Sequence, residues 1–165
     1  MILVYAGIQG YQNEMAELVR FFFPDRTVKL VESESEHFNK PCFISCRYEA
    51  KEKELLITIT IYSDGGQLAR HTVKSELDAE DGLEYRKSIK NSMKLALYDL
   101  LEKITGKSLD WGALTGIRPT KIVHELMDKG LNIQEIKNVL GQQYRVSDLK
   151  SDLLIEIAQV QRPYL

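Results

Sequence analysis

The sequence predicts an α+β fold, in which a small α/β sandwich with a mostly antiparallel sheet of about five strands precedes a three-helix appendage. Two observations favour this class. Short stretches with alternating apolar residues occupy the first half, and from Trp111 onward only helical periodicity remains. The 165 residues are 44% hydrophobic, which is enough for a packed core. We therefore divide the chain into a sandwich domain, 1–106, and a helical appendage, 107–165.

The sandwich begins with a strand, a helix and a second, short strand. The stretch Ile2 to Ile8 is apolar on both faces, which predicts a central strand that is covered on two sides. Apolar residues recur at helical spacing from Gln12 to Phe23, and Pro24 ends that pattern. The intervening Gly7-Ile8-Gln9-Gly10 lacks the third glycine of a dinucleotide fingerprint and the lysine of a P-loop, so we interpret it as a turn.

Three further strands and a long helix complete the predicted sandwich. Alternation places one set of residues on a single face of each of the first two strands: Cys42, Ile44, Cys46 and Tyr48, then Leu55, Ile57, Ile59 and Ile61. Asp64-Gly65-Gly66 indicates a hairpin, after which Gln67 to Lys74 returns as an edge strand. A helix from about Leu83 to Ile104, ended by Gly106, should cover the sheet.

The appendage contains three helices with recognisable start signals. Pro119 suits the first helical position, and that helix ends at Gly130. Asn132 followed by Glu135 indicates a capping box. The third helix begins after Ser147, and we expect it to turn four residues inward: Leu149, Leu153, Ile157 and Val160. Its apolar pattern continues to Leu165 without a polar tail, which predicts that the chain is cut from a longer protein.

Composition narrows the functional classes. Lys and Arg number 22 against 24 Asp and Glu, a formal charge of -2, so no global basic field attracts nucleic acid or anionic lipid. The sequence contains neither the ~18-residue apolar run of a membrane span nor the features of a signal peptide, which predicts a cytoplasmic protein with no membrane partner. Two closely spaced cysteines do not resemble a secreted disulfide framework.

No metal or catalytic site emerges from the residue pattern. Cys42-x-x-x-Cys46 lacks the third thiolate that an iron–sulfur cubane requires, so we interpret both cysteines as small core residues. The histidines at 37, 71 and 124 are far apart and form no zinc-ligand pair. We therefore assign no catalytic residue, metal or cofactor to these residues, and the chain alone should not be an enzyme.

The most informative stretch surrounds the start of the first appendage helix. Arg118, Thr120 and Lys121 place a guanidinium, a hydroxyl and an ammonium where free amide hydrogens already favour an anion. They are the candidates for contact with an anion or a substrate. The alternative is a capping turn in which Arg118 pairs with a neighbouring acid, and the sequence leaves both interpretations open.

Two further hypotheses concern the appendage helices. Leu154, Ile157 and Tyr164 are candidate interface residues, because the last helix carries more apolar residues than two short neighbours can cover. A missing domain of the same chain, or a second copy that forms a homodimer, would then bury them. The helices could instead form a nucleic-acid-binding module, but the long turn from Gly141 to Val146 and a modest basic excess disfavour it.

Three stretches resemble a known family: Trp111-Gly112-Ala113-Leu114-Thr115-Gly116-Ile117-Arg118-Pro119-Thr120-Lys121, Leu126 to Gly130, and Ile155-Glu156-Ile157-Ala158. They are similar to the N-terminal region of HemZ-type oxygen-independent coproporphyrinogen III oxidases, which are also called coproporphyrinogen dehydrogenases, of the radical-SAM superfamily. The Leu-Thr-Gly-x-Arg-Pro-Thr-Lys string is specific, whereas the β-rich half resembles the family only loosely.

The resemblance implies a role in haem and porphyrin biosynthesis for a longer parent protein. Such a parent is a cytoplasmic oxidoreductase that carries a 4Fe-4S cluster on a Cys-x-x-x-Cys-x-x-Cys motif and cleaves S-adenosylmethionine. It converts coproporphyrinogen III to protoporphyrinogen IX by oxidative decarboxylation. This chain would correspond to a non-catalytic accessory domain that precedes the radical-SAM barrel, and the barrel of the same chain would be its partner. None of the family's catalytic residues maps onto these positions.

Overall fold

The computed structural model describes residues 1–37, 41–64, 66–77, 82–115 and 118–164. They form two compact units, Met1–Lys107 and Ser108–Leu165. The predicted α+β class is confirmed, because a five-stranded sheet with two helices makes up the first unit and three α-helices make up the second. Parts of three predicted features lie outside the described residues: Gly65 of the hairpin, Gly116 and Ile117 of the motif, and Leu165 at the last helix.

The first unit is built on a mixed sheet with the strand order β2-β1-β3-β4-β5. β1 pairs in parallel with β2 and β3, whereas the much longer β3–β4 and β4–β5 ladders are antiparallel. The sheet is therefore mostly antiparallel, as the sequence predicts. Its strands are β1 (Ile2–Ala6), β2 (Val28–Leu30), β3 (Cys42–Lys51), β4 (Glu54–Ser63) and β5 (Gly66–Glu76).

Two helices cover one face of this sheet. α1 (Gln12–Phe22) packs on β1 and β2, α2 (Gly82–Thr105) packs on β3, β4 and β5, and the two helices contact each other. The β4 residues predicted to share a face are all buried there: Leu55, Ile57, Ile59 and Ile61. Gly106, at a φ of 66°, ends α2 and donates its N–H to the carbonyl of Glu102 at 2.8 Å.

The positions of β1 and β5 in the sheet also agree with the sequence. β1 lies between two strands, and its residues are buried on both faces, with Val4 fully buried and Leu3 only 5% exposed. β5 is an edge strand, and its residues alternate between exposed and half-buried. A register irregularity at Ile61 and Tyr62 interrupts its pairing with β4.

The second unit packs three helices around a core of its own. α3 (Pro119–Asp128), α4 (Ile133–Tyr144) and α5 (Asp148–Gln161) surround eight buried residues: Leu114, Val123, Ile136, Leu140, Val146, Leu154, Ile155 and Ala158. The predicted capping box is present, since Asn132 accepts the Glu135 N–H at 3.0 Å and Glu135 accepts the Asn132 N–H at 2.8 Å. Ser147 caps α5.

The predicted inward face of α5 is wrong. Leu149, Leu153 and Val160 are 74%, 40% and 65% exposed, and a different stripe is buried: Ser151, Leu154, Ile155 and Ala158. Both stripes follow helical spacing, and α3 and α4 pack on the one that contains the small residues Ser151 and Ala158. Leu154, one of the predicted interface residues, is only 2% exposed and belongs to the core of this unit.

None of the helices in the described part of the chain is both long and apolar enough to cross a membrane.

Candidate functional site

The first part of the Trp111–Lys121 motif has a structural role. The Ala113 N–H donates to the carbonyl of Tyr144 at 2.8 Å, and the Ser147 N–H donates to the carbonyl of Asp110 at 3.0 Å. Gly112 lies at this contact with a φ of 56°, and a Cβ there would come within 2.0 Å of the Tyr144 oxygen. Only glycine fits, so this loop holds the α4–α5 connection against the start of the unit.

The second part of the motif lines a surface groove. Arg118, Thr120 and Lys121, the three predicted contact residues, lie together along an open groove of about 650 Å³ between α3 and the chain segment that ends α5. The other side chains in its lining are His124, Glu125, Asp128, Gln161 and Tyr164. Pro119 occupies the first helical position of α3, so the backbone of Arg118 forms the N-cap while its side chain remains in the groove.

Most charges in this groove are already balanced. Lys121 forms an exposed ion pair with Glu125 at 3.7 Å, and Asp128 forms one with Arg162 at 2.8 Å. Arg118 is exposed and has no ion-pair partner among the described residues. The alternative in which Arg118 pairs with a neighbouring acid is therefore not seen in this part of the chain, and its guanidinium is available to a carboxylate or phosphate.

The sequence pattern does not single out two polar residues of the groove, His124 and Gln161. The ring Nε2 of His124 lies 3.2 Å from Oε1 of Gln161, a contact that joins α3 to the end of α5. The Nδ1 atom of His124 is buried and has no hydrogen-bond partner within the described ranges. His124 follows Lys121 by almost one helical turn, so helical spacing places it on the same face of α3, but its link to Gln161 depends on tertiary packing.

A second surface of the helical unit is apolar. Leu149, Leu153 and Val160 follow one another at helical spacing on the outer side of α5, and Tyr164 extends the stripe with 87% exposure. We call these four residues the α5 stripe. Of the three predicted interface residues, Tyr164 lies in this stripe, Ile157 is half-buried beside it, and Leu154 lies beneath it in the core.

The two cysteines lie on β3, Cys46 buried and Cys42 half-buried. Cys46 is fully buried, and burial raises the pKa of its thiol to about 12. Burial also raises the pKa of Cys42, although the positive charges of the N-terminus and Arg26 lower it in part. Both thiols therefore stay protonated at neutral pH. Within the described ranges, no three His, Cys, Asp or Glu residues converge on a metal-binding position.

Comparison with known proteins identifies a relative for part of the chain. Over 75 residues, 46% of its length, the chain is 36% identical to the oxygen-independent coproporphyrinogen-III oxidase-like protein HemZ of Bacillus subtilis (strain 168). Part of this chain is related to HemZ. The predicted resemblance to HemZ-type proteins is thereby confirmed for that part, although the matched segment spans only 15% of the length of HemZ.

No protein-family model matches the chain. Among solved structures, protein VC0702 from Vibrio cholerae aligns over 97% of this chain and 93% of its own, with 10% identity and a TM-score of 0.35. A similarity at that level does not establish a shared fold with VC0702.

Proposed function

We propose that this chain is a non-catalytic accessory part of a longer, HemZ-like protein of haem and porphyrin biosynthesis. The observation that carries the proposal is the 36% identity to HemZ over 75 residues. The longer protein would be a cytoplasmic oxidoreductase that converts coproporphyrinogen III to protoporphyrinogen IX. Its radical-SAM barrel would supply the 4Fe-4S cluster and S-adenosylmethionine, since this chain has two cysteines and such a cluster needs at least three.

A chimeric protein tests this proposal. The 75-residue segment of Bacillus subtilis HemZ that matches this chain would be replaced by the matching segment of this chain. Anaerobic conversion of coproporphyrinogen III would then be measured with added S-adenosylmethionine. We expect the chimera to keep the activity of HemZ itself and the isolated chain to show none. Turnover by the isolated chain, or a folded but inactive chimera beside an active HemZ, would contradict the accessory role.

Within this function, we propose that the groove at Arg118, Thr120 and Lys121 contacts an anionic group of the substrate or of the barrel. Arg118 carries the positive charge that no described acid balances. Arg118→Ala should weaken sulfate binding about tenfold, because a hydrogen bond to a charged group contributes roughly 1.5–3 kcal/mol. The measurement is an NMR titration of the α3 amides with sulfate.

Two variants complete the Arg118 test. Arg118→Lys keeps the charge but loses the forked geometry, so it should bind sulfate with intermediate affinity. Lys129→Ala, at the other end of α3, is the control and should leave the titration unchanged. Equal sulfate affinity in wild type and Arg118→Ala would show that Arg118 only braces the loop.

We also propose that the α5 stripe packs against the rest of the longer protein. The match covers only 15% of HemZ, so a HemZ-like parent has ample further chain to cover this surface. In the isolated chain a second copy would cover it instead, because burying one Leu is worth ~1.5–3 kcal/mol. The expected result is weak self-association, measured by sedimentation across a concentration series.

Two lysine variants distinguish loss of a surface contact from unfolding of the core in the sedimentation measurement. Leu149→Lys combined with Val160→Lys should give a monomer with unchanged helix content, because both residues are exposed. Leu154→Lys should instead unfold the helical unit, since it places a charge in the core. If the wild-type chain is monomeric at every concentration and the double variant behaves identically, the α5 stripe is not a contact surface.

The alternative of a nucleic-acid-binding module finds less support in the helical unit. Lys121, Lys137 and Arg162 are each paired with an acid, Lys137 through a 2.6 Å contact to Asp152. Side chains that are neutralised in this way contribute little to phosphate binding. A gel shift with duplex DNA or RNA, in which binding weakens as the salt concentration rises, would support this alternative.

A further inference from the structure

The first unit contains a crevice that the proposed accessory function does not use. It has a volume of about 590 Å³ and lies where β1 and β2 end, beside the first turn of α1. β1 and β2 are parallel, with Val4 opposite Leu30. The residues that follow the two strands therefore lie side by side at the carboxyl ends of the strands. The volume falls in the range of small-molecule sites.

The strand order explains why the sheet opens at this point. The chain leaves β1 through α1 to reach β2 on one side, and β3 lies on the other side of β1. Glu34, between β2 and β3, lies on the opposite face of the sheet from α1, because it accepts the hydroxyl of Ser45 at 2.6 Å there. Connections that diverge to opposite faces leave a crevice at the carboxyl ends of the strands, which is where open α/β sheets bind ligands.

The side chains around the crevice define the ligand chemistry. Leu30 and the ring of Tyr5 offer apolar surface, while Gln9 and Asn13 offer amides that both donate and accept. Glu32, two residues after β2, adds a carboxylate that has no ion-pair partner among the described residues. No lysine or arginine belongs to the described lining. The crevice therefore suits a ligand with hydroxyl donors and a flat polar ring, and it does not suit a polyphosphate.

We propose that this crevice binds the ribosyl group of a nucleoside or mononucleotide, with Glu32 accepting a hydrogen bond from the ribose 2′-hydroxyl. The glycine turn from Gly7 to Gly10 and the acid after β2 stand in the order that dinucleotide-binding folds use, in which that acid contacts the ribose. In the sequence alone, the turn lacks one glycine of the dinucleotide fingerprint. The structure adds the cavity that brings the turn and Glu32 together.

The test uses the whole chain and calorimetric titration with the four common ribonucleosides and their 2′-deoxy forms. At least one ribonucleoside should bind, and its 2′-deoxy form should bind about tenfold more weakly, because it lacks one hydrogen bond to a charged group. Glu32→Gln should weaken the ribonucleoside about tenfold and leave the deoxy form unchanged. The matched control is Glu76→Gln, on β5 at the opposite edge of the sheet from β2, which should change neither affinity.

Two further arms complete the experiment. Gln9→Trp, at an exposed position of the turn, should fill the crevice and abolish binding without loss of fold. A 5′-monophosphate that binds more tightly than its nucleoside would identify a mononucleotide as the ligand, and one that binds no more tightly would identify a nucleoside. The proposal is overturned if no ribonucleoside binds, or if affinity is independent of the 2′-hydroxyl and of Glu32. Neither outcome would contradict the accessory function. That proposal rests on the match to HemZ and not on the crevice, which lies wholly in the first unit.

Discussion

Gly112 shows how one residue can fix the geometry of a whole loop. Its backbone approaches Tyr144 and Arg145 so closely that a Cβ would come within 2.0 Å of one main-chain oxygen and 2.4 Å of one main-chain carbon. Backbone atoms cannot move aside as a flexible side chain can. The conformation at Gly112, with a φ of 56°, is also one that other residues rarely adopt.

We therefore expect Gly112→Ala to destabilise the helical unit by about 2–4 kcal/mol, since strain and clash act together. The matched control is Gly141→Ala. Gly141 lies within α4 with open space around it, so alanine should stabilise the unit by roughly 0.5–1 kcal/mol. Urea unfolding followed by circular dichroism measures both changes. If Gly112→Ala unfolds at the wild-type urea concentration, the loop does not approach the α4–α5 connection as described.

Single residues also mark the limit of sequence analysis at the candidate site. The positions of Arg118, Thr120 and Lys121 at a helix start follow from Pro119, whose fixed φ suits the first helical position. The Gly112 contact and the pairing of His124 with Gln161 do not follow, because they join residues that are distant in sequence. Local signals such as prolines and caps can be read from the chain, whereas contacts of this kind require the packed structure.

At the scale of elements, an ion pair joins α1 to α2. Glu14 in the first turn of α1 contacts the ammonium of Lys94 at 3.2 Å and that of Lys90 at 3.6 Å. The side chain of Lys94 is only 6% exposed. Burial lowers the pKa of Lys94, and the Glu14 carboxylate raises it in part. The Glu14 carboxylate thus offsets part of the cost of burying the Lys94 charge between α1 and α2.

Glu14→Gln should destabilise the first unit by about 2–3 kcal/mol, because it leaves the Lys94 charge without that carboxylate. The pKa of Lys94 in the folded variant should then fall further below its ordinary value of 10.5. Between the two values the unfolded chain binds more protons, so the stability of the variant should increase as pH rises toward that value.

Urea unfolding at neutral pH and at about pH 9.5 measures both effects. The control is Glu84→Gln, in an exposed pair with Lys87 at 2.7 Å, which should cost less than about 1 kcal/mol at either pH. A Glu14→Gln variant that is as stable as wild type would show that Lys94 reaches solvent when its partner is removed.

Elements also show why periodicity alone could not orient α5. Within the described residues, the predicted α-helices and strands are present, and α3, α4 and α5 start at Pro119, after Asn132 and after Ser147 as predicted, because those signals are local. α5 carries two apolar stripes, and each one satisfies helical spacing. The stripe that contains Ser151 and Ala158 faces the core because small residues permit close helix packing, and only the positions of α3 and α4 reveal that need.

At the scale of the molecule, each of the two units has a hydrophobic core of its own. We expect a fragment of residues 108–165 to form a helical unit that unfolds cooperatively. A shorter fragment, 119–165, lacks Gly112 and Ala113 and the contacts they make with the α4–α5 connection, so it should be clearly less stable. Circular dichroism during thermal unfolding compares the two fragments. Equal stability would show that the loop before α3 contributes little to the helical unit.

The place of β1 in the sheet has a consequence for synthesis of the protein. Of the strands in this sheet, β1 is made before its two neighbours β2 and β3, and its register with β3 extends to Cys46. The β3–β4–β5 ladders join strands that follow one another in sequence. Such hairpins close short loops and form quickly, whereas distant parallel pairing is slow. During synthesis, the apolar strand β1 therefore stays unpaired with β3 until β3 has left the ribosome. Apolar segments that are exposed during such an interval are prone to aggregate.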